Sequence, residues 1–215
     1  TISDTSISAS VLNTLDGNTS GVIDASSLTT ITGTGEDALT AFESAGISGL
    51  TFDASNYLAS YTDLLAAFGD DLGIARVHYF DFGVDEGRSF DSFDEASYLA
   101  SYSDLLAAYG TDTDSALIHY INYGYSEGRA VDTFDENSYL ASNTSLIGTV
   151  TDAAAHYVST GYAADLALDS FDEFSYIASY ADLIAAFETD GEAATQHYVE
   201  YGYAEGRSAD SIDEL

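Results

Sequence analysis

Four histidines recur along the chain in a way that could serve chemistry: His78, His119, His156 and His197 are spaced 41, 37 and 41 residues apart. A neutral imidazole can act as a general base or ligate a metal, but a working site needs converging partners. Here each stretch supplies one histidine, in a chain with no cysteine. The expected role is therefore structural, a histidine on the apolar face of a helix, buried and hydrogen-bonded to a neighbouring loop. Three of the four arginines, Arg88, Arg129 and Arg207, close a Glu-Gly-Arg triplet, and Asp63, Asp104 and Asp182 precede them at one fixed distance. A fourth stretch has Ser145 and Leu166 at these two places, so acid and base are lost together. That joint loss predicts ion pairs Asp63–Arg88, Asp104–Arg129 and Asp182–Arg207. Three further acidic pairs, Asp70 with Asp71, Asp112 with Asp114 and Asp190 with Glu192, fall at expected turns. Their oxygens suit calcium, or they cap the following helix and favour its positive end. None belongs to a D-x-D-x-D-G loop closed by glutamate, so calcium is left open as a ligand.

These residues are positioned by a repeat. The segment FDASNYLASYTDLLAAFG (52–69) returns as FDEASYLASYSDLLAAYG (93–110), FDENSYLASNTSLIG (134–148) and FDEFSYIASYADLIAAFE (171–188). Its partner RVHYFDFGVDEGR (76–88) returns as LIHYINYGYSEGR, AAHYVSTGYAADL and TQHYVEYGYAEGR. The opening phenylalanines are spaced 41, 41 and 37, so the third copy is shortened before its histidine, between its halves. Within a copy, Tyr57, Leu58, Tyr61, Leu64, Leu65 and Phe68 follow a helical stripe, with Asp53 as N-cap and a Phe52–Tyr57 staple. In the second half Ile74, Val77, His78 and Phe82 share a face, and Gly83 is placed to end the helix in a left-handed turn with Val84 against Tyr79. Each copy reads as a helical hairpin. Two short helices cannot bury both faces alone, so hairpins must stack and share a core.

The expected fold is mainly α: four stacked helical hairpins of about 41 residues (52–92, 93–133, 134–170, 171–211) after a small β/α module at 1–50. In that module Gly21–Ala25 and Leu28–Ile31 read as short β-branched runs, and Gly35–Ala45 as a helix with Leu39 and Phe42 inward. Residues 212–215 read as the start of a truncated fifth copy, and the chain as a processed product or a fragment.

Composition narrows the partners. The 215 residues carry 37 acids against 4 basic residues, a formal charge of −33, and there is no lysine. Nucleic acid and anionic membrane surfaces are excluded as partners, because both are held by clustered Lys and Arg. No apolar run is long enough to insert in a membrane. With 46% hydrophobic residues the chain folds around a core and wears its charge outside, which suits a saline habitat where self-repulsion is screened. Catalysis has little footing: there is no G-x-S-x-G elbow, H-E-x-x-H or phosphate loop. The expectation is not an enzyme. The 17 tyrosines and 11 phenylalanines leave room for sugar stacking.

The order Tyr98, Leu99, Asp104, His119, Tyr120, Gly124, Glu127, Gly128, Arg129 resembles the tyrosine-rich helical repeat of large secreted and cell-surface bacterial proteins. The stretch VIDASSLTTITGTGEDALTAFESAGISGL is similar to a repeat of very large surface proteins of marine cyanobacteria and some of their phages. The resemblance implies extracellular display, as a structural module of a surface layer, adhesin, filament or appendage. Its partners would be further copies of itself or other surface proteins. A carbohydrate-binding anchor or a phage virion appendage are the alternatives. This chain has no G-G-x-G-x-D nonapeptide, so calcium sites of that type do not carry over, and the third copy has Ala164, Asp165 and Leu166 where the others have Glu-Gly-Arg.

Overall fold

The computed structural model describes residues 1–209, so the expected start of a fifth copy and the last residues of the fourth lie outside the described residues. The chain is mainly helical, with a small β/α start. No helix among the described residues is long and apolar enough to cross a membrane.

The start is itself a tandem. Strand β1 (Ser6–Ser8), helix α1 (Ala9–Asn18) and strand β2 (Ile23–Asp24) are followed by β3 (Thr30–Thr32), α2 (Gly35–Glu43) and β4 (Ile47–Ser48). β1 pairs in parallel with β3, Ile7 opposite Ile31, and β2 with β4, Ile23 opposite Ile47. Both pairings join residues at the same sequence offset, so two β-α-β turns lie one on the other and bury Ala9, Leu12, Ile31, Ala38 and Ala41. The sequence expectation found β2, β3 and α2 but not β1, α1 or β4. Asx and serine turns interrupt the β-branched pattern and leave strands of two or three residues, below the length at which alternation can be read.

Copy one contributes α3 (Ala54–Ala59), α4 (Thr62–Phe68), α5 (Leu72–His78) and a π-helical segment π1 (Tyr79–Gly83). Copy two contributes α6 (Glu95–Ala100), α7 (Ser103–Tyr109), α8 (Thr113–His119), π2 (Tyr120–Gly124) and α9 (Tyr125–Glu127). Copy three contributes α10 (Glu136–Ser142), a 3₁₀ turn (Thr144–Leu146), α11 (Ala153–His156) and π3 (Tyr157–Gly161). Copy four contributes α12 (Glu173–Ala178), α13 (Ala181–Phe187), α14 (Gly191–His197) and π4 (Tyr198–Gly202).

Three expectations are corrected. The first stripe is not one helix. Tyr61, Tyr102 and Tyr180 are extended and start a second helix, while the preceding Ser60 hydroxyl bonds back to the Asn56 carbonyl. The inward face of the second half is Ala75, Tyr79 and Gly83, whereas Ile74, Val77 and Phe82 are about half exposed. Gly83 does not end its helix. The chain runs through it as a π turn and stops four residues later, where Gly87 is left-handed and the Arg88 and Gly87 amides bond the Gly83 and Val84 carbonyls at 2.9 and 3.1 Å. This is a Schellman ending displaced by one turn. The same pair of bonds closes at Gly128 and Gly206, and in copy three Asp165 takes the left-handed place at φ 54°.

The chain divides into two compact units whose limits ignore the copy boundaries: residues 1–95 with 112–131, and 96–111 with 132 onward. In the first unit α3 packs against α5 of its own copy and against α8 and π2 of the next, and α2 of the β/α module packs on π1. Phe42 of α2 sets its ring against Phe52, Tyr79, Phe80 and Phe90 at 5.3–6.2 Å. In the second unit α10 packs against α11 and against α14 and π4 of the following copy. At these two junctions the second half of a copy covers the first half of the copy before it, and α2 takes that first-half place ahead of copy one.

Candidate functional site

The most regular constellation is a clamp between the two halves of each copy. Asp53, Asp135 and Asp172 accept from backbone amides at the first helix's start, at 2.7–2.9 Å. The phenylalanine before each cap packs on the tyrosine four residues beyond it, at 5.6–5.8 Å between centroids. It also lies against the tyrosine that follows the histidine: Phe52 on Tyr79, Phe93 on Tyr120, Phe134 on Tyr157 and Phe171 on Tyr198, at 4.7–5.4 Å. Tyr57, Tyr139 and Tyr176 are fully buried.

The histidines meet these tyrosines. The Tyr57 hydroxyl shares a hydrogen bond with His78 Nδ1 at 2.9 Å, Tyr139 with His156 at 2.8 Å and Tyr176 with His197 at 3.0 Å. The expectation of a buried histidine bonded to a neighbouring loop is corrected on both counts: the rings are half-buried, and the partner is a helical tyrosine of the same copy. His119 lies 5.7 Å from Tyr123, centroid to centroid. Burial pushes the Tyr57 hydroxyl above the ordinary tyrosine value, against the opposing pull of Arg88. The same cause takes Tyr176 up to about 12 and raises Tyr139.

Glycine completes the clamp, and the reason is room. A Cβ on Gly83, Gly161 or Gly202 would lie 2.5, 2.4 or 2.2 Å from the hydroxyl oxygen of Tyr57, Tyr139 or Tyr176. The π turn supplies the matching geometry, since the Val84 amide bonds the Tyr79 carbonyl at 3.0 Å, five residues back. Such π turns are rare and cluster at constrained sites. Here one follows each histidine.

The arginines form a second clip. Arg88 grips Asp63 with two bonds of 3.1 and 2.9 Å, holds Glu86 through Nε, and stacks over Tyr61 at 4.7 Å. Arg207 repeats this with Asp182 at 2.9 Å, Glu205 at 2.7 Å and Tyr180 at 4.9 Å. Arg129 bonds Glu127 at 2.7 Å. The hydrogen bonds from Arg88 hold the Asp63 carboxyl below its ordinary value, and Arg207 does the same for Asp182. Copy three replaces all four members of the clip, with Asn143, Ser145, Ala164 and Leu166. There the Asn143 amide donates to the Ala167 carbonyl at 2.7 Å, as the Tyr180 hydroxyl donates to the Ser208 carbonyl at 3.3 Å. The glutamates and the stacked tyrosines were missed in the sequence, although their loss in copy three was visible beside that of Asp and Arg.

A third set joins consecutive copies. In copies one to three the serine at the end of the first helix accepts an amide from the entry to the next copy: Ser60 from Ser92 at 3.3 Å, Ser101 from Thr133 at 2.8 Å and Ser142 from Ser170 at 2.7 Å. Buried Asn56 adds bonds to the Ser92 and Phe93 amides and to Glu95 at 2.7 Å. The sequence signal was the unvarying Ala-Ser of the YLAS motif.

The turn acids are used as caps. Asp71, Asp112 and Asp190 accept from the Ile74, Ser115 and Ala193 amides at 3.0–3.1 Å, and Asp152 does so for Ala155 in copy three. Asp70, Asp114 and Glu192 are exposed beside them. Among the described residues no group of three or more His, Asp or Glu is arranged to hold a metal ion. Two acidic hollows of about 260 Å³ do recur, one lined by Asp53, Asn56, Asp91 and Glu95, the other by Asp135, Asp169, Glu173 and Glu192. Burial raises the Asp91 and Glu95 carboxyls above their ordinary values, with Asp53 adding to the rise at Asp91. Comparison with protein-family models, with curated proteins and with solved structures finds no match.

Proposed function

We propose that the chain is a non-catalytic structural and assembly module of an extracellular surface protein, working in saline water as part of a surface layer, adhesin or appendage. The observation that carries this reading is the clamp. In three copies the histidine, the side chain best suited to chemistry at neutral pH, is tied by Nδ1 to a buried tyrosine, and Arg88 and Arg207 are tied to Asp and Glu of their own copy. Residues so committed define a repeating shape. The charge of −33 keeps such modules apart until salt or a divalent cation screens them. The test is thermal melting with light scattering over a NaCl series and a matched calcium series with chelator controls. Assembly or a raised midpoint in saline supports the reading. A monomer that neither self-associates nor binds cell-surface material in either series overturns it.

A second reading, a carbohydrate-binding anchor, is favoured by one observation. Phe82, Tyr123 and Tyr201, four residues after their histidines, expose 57, 59 and 56% of their surface, and two of them directly follow Asp81 and Glu200 in the sequence. Aromatic faces beside carboxylates suit sugar rings. A glycan array blank with and without calcium removes this reading.

A further inference from the structure

Copies one to three bury a face that copy four leaves open. Ala59, Ala100 and Ala141 are 2, 5 and 4% exposed, whereas their counterpart Ala178 is exposed. Leu65 and Leu106 are 3 and 2% exposed and Ile147 is half-buried, whereas Ile184 is 48% exposed. Phe174, at a place held by Ser55, Ala96 and Asn137 in the other copies, is 54% exposed.

The earlier copies also show what covers this face. In copy one α3 is covered by α8 and π2 of the next copy, and in copy three α10 is covered by α14 and π4. Ala141 belongs to one buried cluster with Ala194 and Tyr198, and Ile147 and Val199 pack against it. The covering element carries alanine three residues before the histidine, then tyrosine and an apolar residue after it: Ala75-His78-Tyr79-Phe80, Ala116-His119-Tyr120-Ile121, Ala194-His197-Tyr198-Val199.

We infer that the face formed by Phe174, Ala178 and Ile184 is a docking surface for the second helix and π turn of one further hairpin of this pattern, joined in sequence behind copy four. In a second folded copy of the chain three such elements are already engaged, since α8 and α14 cover α3 and α10 and π1 lies on α2. This inference is independent of where the protein works.

The test extends the full chain. Residues 210–215, DSIDEL, align with 91–96, DSFDEA, so residues 97–133 are appended after Leu215. Hydrogen exchange across Ala178–Ile184 is then compared in the parent and the extended chain, with Ile184→Asp introduced into both. Docking slows exchange there about tenfold or more, and Ile184→Asp abolishes the slowing while leaving the parent's melting midpoint unchanged. A second extended chain, with the appended counterparts of Ala116 and Tyr120 changed to serine, loses the protection while keeping Ile184. Unchanged exchange in the extended chain, or an Ile184→Asp cost equal in both chains, overturns the inference. Concentration-dependent association of the parent that Ile184→Asp removes, without protection on extension, overturns it in favour of a second copy of this chain.

Discussion

Glu188 stands where copies one and two have glycine, and the chain keeps glycine's conformation there. Gly69 and Gly110 have φ/ψ of 61/−124° and 63/−113°, and Glu188 has 52/−97°. A Cβ added at Gly69 or Gly110 would meet nothing within 4 Å, so the penalty for a side chain at this place is conformational rather than a clash. A non-glycine residue in such a region costs about 1–3 kcal/mol. Glycine returns about 0.5–1 kcal/mol of that through the greater entropy it loses on folding. Glu188→Gly should therefore stabilise the protein by about 1 kcal/mol, raising the melting midpoint by roughly 2–4 °C for a chain of this size. Removing an acid from so negative a chain also stabilises, so Glu188→Gln serves as the charge control and should recover only a small part of the gain. Gly110→Ala gives the reverse effect. The assay is urea unfolding followed by circular dichroism, with the slope m required to stay constant so that the midpoint reports stability alone. A Glu188→Gly protein no more stable than Glu188→Gln, together with a harmless Gly110→Ala, refutes the reasoning.

The other predictions concern the clamp and its surroundings. Gly202→Ala drives a methyl group into the Tyr176 hydroxyl and should cost about 1–3 kcal/mol; adding Tyr176→Phe should recover part of this, a coupling read from a double-mutant cycle. Tyr57→Phe strands a half-buried His78 nitrogen and should cost about 1 kcal/mol, whereas Tyr79→Phe should be neutral or stabilising, because the buried Tyr79 hydroxyl makes no well-formed hydrogen bond. Arg88→Ala should lose more than Arg76→Ala, by about 0.5–1 kcal/mol, since Asp63 is 60% exposed and its ion pair is screened by solvent. Asp63, held below the ordinary 3.8, contributes fully above that value, and the excess should vanish in melts as pH falls below it. Glu95 has the opposite sign. Its folded value lies above 4.5, so its contribution is present below 4.5 and is lost as pH rises; Glu95→Gln should raise the midpoint at neutral pH and leave it unchanged in acid.

How far the sequence could be read depended on the kind of signal. Caps and staples are local, and Asp53 with Phe52 and Tyr57 took the places that their spacing implied. The pairing of Asp63 with Arg88 was visible because copy three lost both. The orientation of the second helix was misread. Period 3.6 puts Ile74, Val77 and His78 together, but the inward residues are the small Ala75 and Gly83 around Tyr79, and alanine and glycine carry little weight in an apolar pattern. The π turn had no local signal, since Gly83 looks like a helix end until the Tyr57 hydroxyl beside it is known. The bonds of Ser60, Ser101 and Ser142 to the next copy were hidden because a serine at the end of a helix is as readily satisfied by its own helix's carbonyls.

The half-copy offset between the repeats and the way they pack has a consequence for how such a gene can change. A duplication or loss of one whole period, begun at any point, rejoins every first half to a second half, so the array can lengthen or shorten without a preferred breakpoint. Smaller edits are tolerated only where neither the clamp nor the next copy depends on length. The shortening in copy three obeys this: a three-residue turn stands where the other copies have seven-residue helices, while Tyr139, His156 and Gly161 still meet. The middle helix is where this lineage can be spliced, and the tyrosine, histidine and glycine are what each splice has to keep in step.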